Sequence, residues 1–241
     1  HGGDMTKWSR FANGLKMRLG IRAADANPQF AETVINEANG NALQSNADNT
    51  YFQFGTSSAH RNTYYENRFV DGRDDFDASE RFVQALKQYS ANDPRLDAFV
   101  EQTSDSAPPC EDGSGSYDGF PYGMEQSVAQ GRQTSRPTCN ESRPEPFFSA
   151  GPSGSGDAYA PMMYYDEVLI TKAEAAARGF ISGGDAAAKD FLEEAIRASI
   201  NFYGSETDAD ISGSSAAADS YVDAVLNDYD ANGYEQVIGE Q

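Results

Sequence analysis

The 241-residue chain carries a formal net charge of −20 and is 39% apolar, enough to build a sizeable core as one large domain or two modest ones. The acid excess excludes a nucleic-acid partner, whose phosphates are held by clusters of Lys and Arg. No run of about 18 apolar residues is present to span a bilayer. With 38 acidic residues against 18 basic ones, the surface suits either a protein kept soluble in high salt, a possible halophile, or an ordinary acidic extracellular face.

In chain order, the opening stretch already has helical character, so a true N-terminus further upstream, with a signal sequence or lipid anchor, is expected. Apolar residues Trp8, Phe11, Leu15 and Leu19 recur at three- and four-residue steps and place a helix over residues 7–24 with Trp8 in the core. The turn ADANPQ ends it, and Pro28 opens a second helix to about Ala38, proline being tolerated in a first helical turn. Residues 39–63 are polar and read as a surface excursion carrying the aromatic knot Tyr51, Phe52 and Phe54. Helices follow at about residues 79–89 and from Asp93, read as the cap, with Pro94 at the first position.

Residues 103–160 form a long irregular loop rich in Pro and Gly. Loops of this length inside a compact domain are usually functional or disordered. It holds Cys110 and Cys139, which in an oxidising compartment can be bridged, closing a loop worth about 3–4 kcal/mol in the chain-entropy model. Two cysteines and two histidines are too few soft ligands for a metal centre. Helix then returns from Pro161 to Arg178, with Gly179 as its stop. A second helix runs from Asp185 to about Tyr203 and a third from Ala216 to about Asn227. Strand-like alternation is scarce, so the fold class is all-α. Small residues at Ala173, Ala175–Ala177 and Ala186–Ala188 match the packing of tetratricopeptide-like hairpins, without a visible 34-residue repeat.

Six stretches taken together resemble the SusD/RagB family: KWSRFANGLKMRLGIR, NDPRLDAFV, GFPYG, YYDEVLITKAEAAARG, AAAKDFLEEAIRASINFYG and YVDAVLNDYDANGYEQVIGEQ. They occur in the family's order over nearly the whole chain. The resemblance implies a single SusD-like helical domain over residues 1–241, part of a chain about twice as long. Its helical hairpins would carry loops that form a binding face. It further implies a lipid-anchored protein on the extracellular face of the outer membrane, not an enzyme. Such a protein captures oligosaccharide, or in some branches peptide, for a SusC-type TonB-dependent transporter.

Sugar faces stack on aromatic rings while polar groups read hydroxyls. The candidate ligand-binding residues are therefore Arg61, Asn62, Tyr64, Tyr65, Phe120, Tyr122, Phe147, Phe148 and Tyr159. Arg61 and Asn62 could equally anchor a loop, and the GFPYG segment could pin the long loop to the scaffold. No catalytic residue is assigned. Carboxylate pairs at glycosidase spacing are unavoidable in so acidic a chain, and His60 among serines lacks a G-x-S-x-G elbow. Asp208, Asp210, Ser212 and Asp219 fall at positions 1, 3, 5 and 12 of a calcium-type loop, with Gly213 at position 6. A partial repeat begins at Asp228. Both read more simply as acidic turns between helices, so no cofactor is expected beyond a weak calcium candidate.

Overall fold

The computed structural model describes residues 1–73, 76–103, 116–125, 127–128 and 144–241, and is mostly helical. Where the sequence suggests one domain with a loop insertion, the chain gathers into two compact units. The first contains residues 1–52, 160–202 and 211–241; the second contains 53–159 and 203–210.

The first unit is built from helical hairpins. Helix α1 (Met5–Arg22) starts where the Asp4 carboxylate accepts from the backbone N–H of Thr6 (2.9 Å) and Lys7 (3.2 Å), satisfying donors that the first turn leaves open. Helix α2 (Pro28–Asn39) follows, with Asn27 as cap and Pro28 in the first turn. The face that α1 buries is Phe11, Gly14, Met17 and Gly20, not the stripe expected from bulky apolar spacing. Trp8 is 43% exposed and Leu19 64%, which corrects the core assignment of Trp8. The glycines decide the outcome because they let helices approach. A methyl at Gly20 would lie 2.7 Å from Val34 Cγ2 and 2.9 Å from Ile35 Cγ1, and one at Gly14 would fall on the Met163 sulfur.

The polar excursion after α2 contains strand β1 (Thr50–Gln53). Its partner is β2 (Tyr159–Met163), so Pro161, Met162 and Met163 are strand residues, not the start of a helix. Proline is tolerated because a two-stranded sheet has only edges. The helix after β2 therefore begins later than its sequence suggests, at Tyr165. Before it, in the second unit, come α3 (Thr63–Tyr65), α4 (Glu80–Leu86), α5 (Leu96–Phe99) and α6 (Phe147–Ala150).

Helix α7 (Tyr165–Ala177) buries Val168, Leu169, Thr171, Ala173, Ala175 and Ala176. Its first-turn acids, Asp166 and Glu167, suit the positive end of the helix dipole, and Arg18 of α1 forks onto Glu167. Gly179, at φ +78°, supplies the expected stop. Helix α8 (Gly184–Glu206) follows, and Leu169 of α7 packs with Ala195 and Ala198 of α8, flanked by Tyr165, Ile170 and Phe191. Helix α9 (Ala216–Asn232) is capped by Ser215 and α10 (Tyr234–Glu240) closes the chain. The partial calcium-type repeat at Asp228 is thus helical, not a turn, and Asp230 pairs with Lys189 at 2.8 Å.

The second unit has its own core of Ala78, Val83, Leu86, Leu96 and Val100, with Phe99 and Tyr117 against it. Asp93 does not cap a helix at Pro94. It is buried, accepts from Arg95 N at 2.9 Å and takes the Arg95 guanidinium at 2.6 Å, and α5 starts only at Leu96. A buried carboxylate needs a full counter-charge, which helix N–H groups do not provide. The GFPYG segment is pinned by its backbone: Phe120 N donates to Ala78 O (2.8 Å) and Glu80 N to Phe120 O (3.0 Å). Gly119 permits this approach, since a methyl there would sit 2.6 Å from Ser79 O. Cys110 and Cys139 lie outside the described residues.

Candidate binding cleft

Within the second unit the end of α5, the segment around α6 and residues 206–208 enclose a cleft of about 750 Å³, a size suited to a small ligand. Short α6 places its wall. Pro146 enters the helix, and Gly151, at φ +69°, ends it against the backbone of Asp157 and Ala158. Phe147 lines the cleft and is held edge-on by Tyr159 and by Phe148, each with ring centroids 5.6 Å away. Behind it Phe148 contacts Phe99 (5.9 Å), which meets Tyr203 edge-on at 4.7 Å. This aromatic stack fixes the Phe147 ring as an apolar wall.

The remainder of the lining is acidic: Asp97, Glu101, Glu145, Glu206 and Asp208. Some have partners. Tyr117 donates to Asp97, Tyr159 to Glu206 at 3.1 Å, and Arg68 to Glu101 at 2.6 Å while also bonding Pro144 O at 2.7 Å. Glu145 sits deepest in the conflict. Burial, then repulsion from Glu101, Asp97 and Asp208, outweighs the attraction of Arg68 and pushes its carboxyl from 4.5 up to about 7. Glu145 therefore keeps its proton to a higher pH than an ordinary carboxyl and, while protonated, can donate a hydrogen bond.

The first unit holds a second hollow of about 650 Å³ beside Asn46 and α8. Its polar groups already serve one another: Tyr165 donates to Glu194 at 2.5 Å and Arg197 to Glu193 at 2.8 Å. The cleft offers a ligand more unspent bonding capacity.

Of the sequence candidates, Phe147 lines the cleft, and Phe148 and Tyr159 support it from behind. Arg61, Asn62 and Tyr65 hold the 151–157 loop. Asn62 N donates to Gly156 O (2.8 Å), and Gly156, at φ +97°, packs where a methyl would meet Arg61 Cβ at 2.8 Å and the Tyr65 ring at 3.1 Å. Arg61 is also paired with Glu66 and lies over the Tyr65 ring, 5.4 Å from its centroid. Tyr64 is half-buried, edge-on to Phe76 at 4.8 Å, and burial raises its phenol pKa against the opposing pull of Arg68. Phe120 belongs to the pinned segment, and Tyr122 is 74% exposed, outside the cleft lining. His60 and Ser57 bond each other at 3.0 Å in an exposed turn.

The calcium-type set is divided. Asp208 and Asp210 belong to the second unit, Ser212 and Asp219 to the first. Asp219 is paired with Arg197 at 2.8 Å in the first turn of α9, and Ser212 faces Ser214 at 3.1 Å. Among the described residues no group of three or more His, Cys, Asp or Glu is placed to hold a metal ion. The carboxylates of the cleft, apart from Asp208, escape the sequence reading. They are scattered over more than a hundred positions in an acidic chain, and only folding selects them.

A family profile described as starch-binding and associating with the outer membrane, of the SusD-like group, matches residues 1–241. The chain belongs to the SusD-like family. Solved structures agree on the fold. A chitin-binding protein is 23% identical with a TM-score of 0.68, the match covering 98% of this chain and 51% of that one. A SusD homologue from Bacteroides fragilis is 16% identical with a TM-score of 0.70, covering 92% and 47%. A SusD-like protein from Bacteroides thetaiotaomicron is 27% identical with a TM-score of 0.59, covering 86% and 38%. This SusD-like chain thus spans about half the length of the first two and less of the third. No curated protein matches it. Among its described residues no helix is long and apolar enough to cross a membrane.

Proposed function

We propose that this SusD-like protein captures oligosaccharides on the extracellular face of the outer membrane, held there by a lipid anchor, and delivers them to a SusC-type TonB-dependent transporter. The cleft of the second unit carries this reading. Part of the lining is an aromatic ring locked by its neighbours, and the rest includes carboxylates and Gln102 that can bind hydroxyls. That combination matches the amphipathic character of a sugar ring, one face C–H and the rim hydroxyl. Family membership, with its starch-binding and outer-membrane description, supports the same class of ligand.

The protein acts as a carrier, without turnover. Capture by a preformed wall lowers the ordering cost of binding. Calcium and a disulfide are not required by this reading. The test is binding of the full-length protein to a glycan array, with and without chelator, followed by calorimetry on the class that binds. Phe147→Ala should weaken affinity about tenfold, the loss of one stacking surface worth about 1–1.5 kcal/mol. Silence toward every glycan by folded protein, with retention of peptides, would replace the reading with peptide capture.

A further inference from the structure

The cleft has five carboxylates on its lining and, among the described residues, no Lys or Arg on it. Among the described residues, the charged groups that act on Glu145 are Glu101 and Asp97, from α5 and the stretch after it, Asp208, from beyond α8, and Arg68, from the π-helical turn Glu66–Val70 that follows α3. The only cation of this set, Arg68, is already bonded to Glu101 and to the Pro144 carbonyl. Tyrosine hydroxyls on Asp97 and Glu206 bond the carboxylates without cancelling their charge. Among the described residues the lining therefore keeps an excess of negative charge, and its low-dielectric aromatic wall strengthens the field of that charge. The carboxylates are not gathered for a metal. They come from three separate stretches of chain, Asp97 with Glu101, Glu145, and Glu206 with Asp208, a spread that suits more than one positive charge on a ligand.

We propose that the cleft selects by charge, taking oligosaccharides of amino sugars with free protonated amines in preference to neutral ones and refusing acidic ones. This rests on the oligosaccharide reading above. The amines would bond the carboxylates nearest Glu145 while the ring faces meet Phe147. A uronic or sulfated sugar would meet like charge with no cation on the lining to receive it.

The test is calorimetry on the full-length protein near pH 6, comparing a glucosamine oligomer with its N-acetylated counterpart of equal length and with a galacturonic acid oligomer. The glucosamine oligomer should bind about fivefold tighter or more than the N-acetylated one, as expected for one or two partly screened ion pairs. The acidic oligomer should show no binding. Raising salt toward about 1 M, where the screening length falls to about 3 Å, should remove the difference, a readout that needs no variant. Asp208→Asn, confirmed folded by thermal unfolding, should narrow it. Equal affinities for amine and N-acetyl forms, or a salt-insensitive difference, would overturn charge selection and leave the oligosaccharide reading intact. Failure of all three oligomers and of other glycans, with binding of a Lys-rich peptide, would overturn both.

Discussion

Glu145 offers the sharpest test of the cleft's electrostatics. Its carboxyl is raised from 4.5 to about 7 chiefly by burial, then by Glu101, Asp97 and Asp208. A folded-state pKa above the unfolded value means that the neutral acid favours the folded state. That contribution is fully present below about 4.5 and is lost as the pH climbs through about 7. A change of this size corresponds to about 3 kcal/mol as a ceiling. Partial exposure and the nearby Arg68 bring the measurable share to about 1–2 kcal/mol. Glu145→Gln keeps the shape and a donor but cannot ionise. Denaturant unfolding of wild type and variant at about pH 4 and about pH 8 isolates the group, because every other acid is common to both. The two should be of similar stability at the lower pH, with the variant more stable by about 1–2 kcal/mol at the higher. Parallel pH profiles, or a variant that is weaker at pH 8, would falsify the claim that Glu145 is held neutral by its surroundings.

Further expectations follow from packing. Gly20→Ala places a methyl 2.7 Å from Val34 Cγ2 and should destabilise the α1–α2 hairpin by about 1–3 kcal/mol, read by thermal unfolding; Leu19→Ala, at a residue 64% exposed, should change stability by less than about 0.5 kcal/mol. Arg95→Ala strands the Asp93 carboxylate, whose side chain is 1% exposed, and should cost about 3–5 kcal/mol in denaturant unfolding, with part restored by the double change to Asp93→Asn. Gly156→Ala combines a strained φ of +97° with a contact at 2.8 Å to Arg61 Cβ, and should loosen the 151–157 loop, seen as faster hydrogen exchange at Asn62 and Gly156.

Helix-period patterning and helix-boundary residues made much of the first unit legible: Pro28, Gly179 and the alanines of α7 behave as their chemistry dictates. What patterning misjudged is which side of α1 faces inward. Hydrophobic spacing favours bulky residues such as Trp8 and Leu19, yet α1 meets α2 at Gly20 and Met163, Leu43 and Val168 at Gly14, because close backbone approach gains dispersion contacts. The strands were invisible for a different reason. Four or five residues with mixed burial, one of them Pro161, give no period-two signal. At the cleft, Phe147 was readable as an aromatic in a long loop. Its carboxylates were not, since nothing local distinguishes Glu145 or Asp97 from the other acids, and their meaning arises only from mutual proximity.

The chain leaves the first unit at the end of β1 and re-enters it at the start of β2, and just beyond the strands Phe54 N still bonds Ala158 O at 3.0 Å. The exit and the return are therefore a strand spacing apart, about 5 Å. The segment between these two doors can vary without asking the strand pair to move, provided it closes the same short gap and keeps its packing on residues 203–210, which belong to the same unit. A lineage could thus remodel the second unit while the helical frame drifts only slowly. The glycines that lock that frame would record ancestry, and the acids of the cleft would record more recent selection.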